Sequence, residues 1–180
     1  MKKDNRGLSL LEMIVVIAIM AIVTGGVVLS VGLISKKNVD KCAERIKQAI
    51  QSNRSVAMGR YDSKLEIYVS GDDIYTCQYM KRDASSSFAG ELPSQVGSSD
   101  LTVTVTLWDG ASYTDYAFGT PGGMSKLILQ FDRSSGALKP CPSEMGSAYA
   151  GKYCTKITIS NGTRNKELTL SYLTGKVELK

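Results

Sequence analysis

The sequence predicts an α+β fold in which a long N-terminal helix packs along a largely antiparallel β-sheet. Three observations lead there. Met13–Ile34 is an uncharged, predominantly apolar run of 22 residues, the length a helix needs to span a bilayer. From Val39 the apolar residues recur at three- and four-residue steps (Cys42, Ala43, Ile46, Ala49, Ile50, Val56, Ala57), with Asn53 in the same register. That is one face of an amphipathic helix. From Lys64 onward the period becomes two, the pattern of half-buried strands.

The helix begins with a charge in the wrong place. Glu12 interrupts Leu8–Ile34, which is otherwise without charge. A carboxylate in hydrocarbon costs about 2.5–3.5 kcal/mol on insertion scales, so it calls for a partner at the same depth. Cleavage after Gly7 would create one, because Leu8 would then carry a free α-amine four residues from Glu12. Ahead of that bond, Lys2, Lys3 and Arg6 outweigh Asp4. Basic residues flanking a membrane helix stay on the cytoplasmic side, which puts the remainder outside. Of the formal net charge of +5, the seven leading residues hold three cations against one acid, leaving +3 for the rest. That excess is too small to argue for a nucleic-acid partner by itself.

The run Lys2-Lys3-Asp4-Asn5-Arg6-Gly7 followed by Leu8-Ser9-Leu10-Leu11-Glu12 closely resembles the class III signal of type IV prepilins and type II secretion pseudopilins. The resemblance implies that a membrane prepilin peptidase/N-methyltransferase cuts Gly7–Leu8 and methylates Leu8. It also implies that Glu12 forms the assembly salt bridge that sets subunit register. Leu8 stands where the family usually carries Phe or Met. The implied partners are other pilin or pseudopilin subunits and an inner-membrane assembly platform. The implied location is the inner membrane, with a single pass, an extracytoplasmic head and a surface filament after assembly.

The remaining elements follow in order. Thr24-Gly25-Gly26 loosens the apolar helix or lets neighbouring helices approach closely. Past Ser35-Lys36-Lys37-Asn38 the amphipathic half runs to Met58, with Gly59 as its stop. Leu65–Val69 and Ile74–Tyr79 flank Ser70-Gly71-Asp72-Asp73 as a hairpin. Residues 84–99 are a Ser/Gly-rich connection. Leu101–Trp108, Leu127–Phe131, Lys156–Ile159, Glu167–Tyr172 and Lys176–Leu179 read as strands, with turns at 132–136, 161–162 and 174–175. The expected organisation is a leader at 1–7, a transmembrane and assembly helix at 8–34, an amphipathic helix at 35–60 and a β-rich head at 61–180.

Catalytic chemistry is absent from this reading. The chain has no histidine, which removes the usual general base and zinc ligand, and no serine lies in a G-x-S-x-G elbow. Asp72-Asp73 is a solvated turn rather than a calcium loop, since such loops need further oxygens at set spacing. No cofactor and no metal are expected. Cys42, Cys77, Cys141 and Cys154 form an even set in an exported region, which suggests two disulfides with three connectivities. Cys141–Cys154 closes a short loop and is preferred, leaving Cys42–Cys77; four buried free thiols are the alternative.

A wider resemblance covers the head. Ile46–Ala57, the Leu129-Gln130-Phe131-Asp132 run leading to Gly136, and Tyr172-Leu173-Thr174-Gly175-Lys176-Val177 look like the H-class pseudopilins and FimT-like minor pilins. The latter group implies a second reading, DNA binding through basic residues near the C-terminus, here Arg164, Lys166, Lys176 and Lys180. Such contacts would be salt-sensitive and indifferent to sequence. An ordinary secretory signal fits less well, because the apolar run is long and no A-x-A site follows it. An uncleaved single-pass anchor also leaves Glu12 without a purpose.

Overall fold

The computed structural model describes residues 10–59, 61–71, 73–82, 86–98, 100–120 and 122–180, giving only the backbone for 23–36. Helix α1 is Leu10–Met58. The chain divides into two compact units, Met1–Lys36 and Lys37–Lys180. Within the second unit, Val39, Cys42, Ala43, Ile46, Ile50, Asn53 and Ala57 are the buried positions of α1. They form the stripe that the three- and four-residue spacing requires. The helix stops where Gly59 N–H closes onto the Ser55 and Val56 carbonyls.

Against this stripe lie two antiparallel sheets rather than the one sheet expected. Strands β1 (Asp62–Ser70), β2 (Asp73–Lys81), β3 (Ala89–Gly90), β4 (Ser94–Ser98) and β7 (Lys126–Gln130) make the first. Both β3 and β4 pair with one edge of β2, and β7 pairs with β1. Strands β5 (Thr102–Trp108), β6 (Tyr113–Ala117), β8 (Tyr153–Ser160), β9 (Asn165–Leu170) and β10 (Val177–Leu179) make the second, in the order β10-β9-β8-β5-β6. A single apolar cluster joins α1 to inward side chains of both sheets, among them Leu65, Leu129, Leu107 and Ile157.

The strands that sequence reasoning missed are β3, β4 and β6. Ser94-Gln95-Val96-Gly97-Ser98 has one β-branched residue, so tertiary pairing with β2, not propensity, makes it a strand. Tyr113–Ala117 is mostly exposed and lacks an apolar alternation. The β1–β2 hairpin turns at Ser70–Asp73 as expected, with Gly71 at φ +60°; Asp72 lies outside the described residues.

Strand parity decides the cysteines. Ile74 and Thr76 on β2 share the face that meets α1, where Ser52 Oγ lies 3.4 Å from Gln78 Oε1. A Cβ on Gly97 would come within 2.8 Å of Cys42 Sγ and 3.2 Å of Ile74 Cδ1, which puts Cys42 on that side. Cys77, an odd-numbered neighbour, points to the opposite face, where its Sγ bonds the Glu91 carbonyl at 3.2 Å. The expected Cys42–Cys77 bridge is therefore blocked by the sheet itself. All four cysteines are buried free thiols, Cys141 and Cys154 included. Burial pushes the Cys42 thiol up to about 12 and the Cys141 thiol up to about 11, and raises Cys154 well above its ordinary value. Thiols held so far toward the neutral form react slowly.

The outward face of the first sheet is tied down by Lys64. Its Nζ lies 3.1 Å from both Glu66 and Glu144 carboxylates and 5.1–5.2 Å from the ring centres of Tyr79 and Phe88. Burial alone would lower the Lys64 pKa; the hydrogen bonds it donates to the two carboxylates outweigh that and hold the ammonium above its usual value. Glu144 belongs to a short 3-10 turn, Ser143–Met145, that docks through Met145 Sδ accepting the Ile128 N–H at 3.3 Å.

At the end of α1, Arg54 Nε donates to the Gly136 carbonyl at 3.1 Å. Gly175, at φ +65°, sits against the same carbonyl; a Cβ there would collide with it and reach 3.0 Å from Arg54 Nε. Gly175→Ala combines left-handed strain with overpacking, a loss of about 2–4 kcal/mol, readable as a lower denaturation midpoint at unchanged m-value. In a thiol titration without reductant, all four cysteines stay nearly silent in the native protein and react once it is denatured. A denatured count short of four would mean that bridges exist.

Candidate assembly segment and basic residues

Gly7 and Leu8, the expected cleavage and methylation positions, lie outside the described residues. Glu12 is described: it occupies the first turn of α1 and is exposed. A carboxylate there meets the partial positive charge of the helix N-terminus, worth about 0.3–1 kcal/mol at the surface.

What surrounds Glu12 is unusual for a protein surface. Leu10, Leu11, Met13, Ile14, Val15, Val16, Ile17, Ile19, Met20 and Ile22 are all between 47% and 79% exposed. Ten large apolar side chains in thirteen successive residues leave no polar face on this part of the helix. A helix apolar all round is stable only in an apolar environment, whether lipid or other helices. Among the described residues no helix is long and apolar enough to cross a membrane. Side chains of 23–34, the rest of the apolar run, are outside the described set, as is the Thr24-Gly25-Gly26 feature.

Of the four basic residues, Arg164, Lys166 and Lys180 lie near one end of β9 and Lys176 near the other. Arg164 closes the β8–β9 turn, where its N–H is held by Asn161 Oδ1 at 2.8 Å. Its Nη2 lies 3.0 Å from Asp40 Oδ1 on α1. Lys176 follows the β9–β10 turn, with Nζ 2.7 Å from Glu178 Oε1. Hydrogen bonding to Glu178 raises the Lys176 pKa, and the same contact lowers that of Glu178. Lys166 pairs across from Ile159, and Lys180 joins Glu167 through the backbone. Lys176 therefore lies about 17 Å along β9 from Lys166, five residues at 3.3 Å. Two of the four cations face carboxylates. Asp40 was invisible as a partner because 124 positions separate it from Arg164 in the chain. Glu178 was visible, since residues two apart share a strand face.

Among the described residues no three of His, Cys, Asp or Glu converge as metal ligands. Asp132 and Asp109 instead organise turns. Asp132 Oδ1 accepts from the hydroxyls and N–H groups of Ser134 and Ser135 at 2.6–3.1 Å, and these bonds hold its carboxyl well below the usual range.

No curated protein and no solved structure matches this chain. Residues 2–28 do match a family model, that of the prokaryotic N-terminal methylation motif. The matched span takes in Gly7, Leu8, Glu12 and the exposed apolar turns of α1, and it supports a type IV pilin-like prepilin.

Proposed function

We propose that the chain is a minor pilin or pseudopilin subunit, cut between Gly7 and Leu8, N-methylated on Leu8 and assembled by helix-to-helix packing into a type IV pilus-like or secretion pseudopilus filament. The observation behind this reading is the all-round apolar exposure of Leu10–Ile22 with Glu12 inside it, within a segment that matches the N-terminal methylation motif. Burial of one large apolar side chain contributes about 1.5–3 kcal/mol, so ten of them greatly exceed the roughly 3 kcal/mol that Glu12 costs. The segment therefore enters lipid or a helix bundle despite the carboxylate.

Glu12 then acts on register more than on stability. A buried ion pair gains little over apolar packing, whereas an unpartnered buried charge costs several kcal/mol. Subunits offset along their axes would leave Glu12 facing hydrocarbon; subunits in register bring it to a neighbour's Leu8 amine. The head has no catalytic constellation on this reading, and the chain is a peptidase's substrate. The alternative, a DNA-binding subunit of an uptake filament, draws less support, because Arg164 and Lys176 are held by carboxylates and Lys176 lies at the opposite end of β9 from the other three.

Glu12→Gln is expected to insert in the membrane at wild-type level and to be depleted from sheared filaments by roughly tenfold or more, an effect of about 1.4 kcal/mol or above. Normal incorporation would remove Glu12 from assembly. Gly7→Val is expected to leave only the longer, unprocessed form on a gel; a processed band of wild-type size would place the cut elsewhere.

A further inference from the structure

The second sheet carries an aromatic group of which one member, Tyr172, also packs against the core. Trp108, at the end of β5, is in register with Tyr113 on β6 and with Tyr153 on β8. Tyr172, just after β9, joins them: its ring centre is 4.9 Å from that of Trp108 and 5.3 Å from that of Tyr153, and Trp108 and Tyr153 are 6.2 Å apart, so these three rings form a compact triangle. Tyr113, Trp108 and Tyr153 thus cross three adjacent strands in register, and the Tyr172 ring lies against the last two. Tyr113 is 70% exposed and the other three are half-buried. Two strand spacings of about 4.8 Å make the in-register row roughly 10 Å long.

Beside the row opens a cleft of about 580 Å³, lined by Tyr113 and Tyr172 together with Thr106, Asp115, Lys156 and Thr169. A bulge in the β5–β8 pairing creates part of it. Thr106 pairs with Lys156 and Leu107 with Cys154, so Thr155 is the extra residue. Cys154 returns to the core while Thr155 and Lys156 both line the cleft. Asp115 is fixed by the Thr106 hydroxyl, which donates to Oδ1 at 2.6 Å. Lys156 is 3.7 Å from Glu167. The cation is already balanced, and the oriented carboxylate keeps acceptor capacity on its second oxygen.

We propose that this row and cleft bind a neutral oligosaccharide, the rings stacking on pyranose faces while Asp115, Lys156 and the threonine hydroxyls bond sugar hydroxyls. A pyranose presents weakly positive C–H groups on its faces and hydroxyls around its rim. The first match the negative faces of aromatic rings, the second the donors and acceptors along the row. A polyanion fits poorly, since phosphates would meet Asp115 and find Lys156 already paired. A strand-adding peptide fits poorly too, since the row crosses the face of the sheet and does not follow an edge.

Trp108 is the chain's only tryptophan, and its ring lies 4.9 Å from that of Tyr172, which lines the cleft, so its emission reports the site. Full-length protein in a detergent without a sugar headgroup would be titrated with cellohexaose, maltohexaose and chitohexaose, and with oligothymidylate at low salt. The expected result is a saturable change in Trp108 emission with at least one hexasaccharide below ~10 mM, insensitive to added salt. Tyr113→Ala and Asp115→Asn, both at exposed positions, are each expected to weaken it roughly tenfold with an unchanged melting transition. No saturable change with any hexasaccharide overturns the proposal. A response confined to oligothymidylate and lost with salt also overturns it, assigning the row to nucleic acid. So does hexasaccharide binding that both variants leave intact.

Discussion

Apolar surface that the chain does not cover by itself is the constraint on which everything else rests. Leu10–Ile22 exposes large apolar side chains on every side of a helix, and water is a poor solvent for such a cylinder. Farther along α1, from Val39 to Ala57, the apolar residues narrow to a stripe, and that stripe is fully used by the two sheets. The change from all-round to one-sided patterning thus divides the sequence between surface that a partner must cover and surface that the fold covers. Glu12 gains meaning only within the first part, where a charge is conspicuous among large apolar side chains.

Several of the head's reactive groups are tied into its structure. Its four thiols are buried and held in the neutral form, its best-ordered carboxylates cap turns, and Lys64 is enclosed by two acids and two rings. Arg54 and Gly175 lock the end of α1 to two turns far apart in sequence. Such a body suits a subunit displayed on a scaffold. The aromatic row across β6, β5 and β8, with Tyr172 against it, is surface chemistry that such a subunit would present.

Much of this was legible in the residues, for identifiable reasons. The buried face of α1 and its end at Met58 follow from spacing and from Gly59, both local signals. The β1–β2 hairpin follows from a turn between two alternating runs. The division into two sheets does not, because β3 and β4 carry little strand propensity of their own and β6, though rich in Tyr and Thr, lacks an apolar alternation. The Cys42–Cys77 pairing failed on parity: Cys77 is one residue out of step with the helix-facing positions of β2, and only the observed register reveals which face that is. The Arg164–Asp40 pair and the aromatic row are long-range products of topology. The methylation motif, by contrast, is a contiguous chemical signal, and contiguity is why it could be read without a fold.

The most direct test is the chemical identity of the N-terminus of the protein isolated from its native membrane, read by intact-mass and fragment-ion spectrometry. The account predicts a chain that begins at Leu8 and carries one methyl group on its α-amine. A chain that begins at Met1, or one whose N-terminus follows the apolar run, would contradict it.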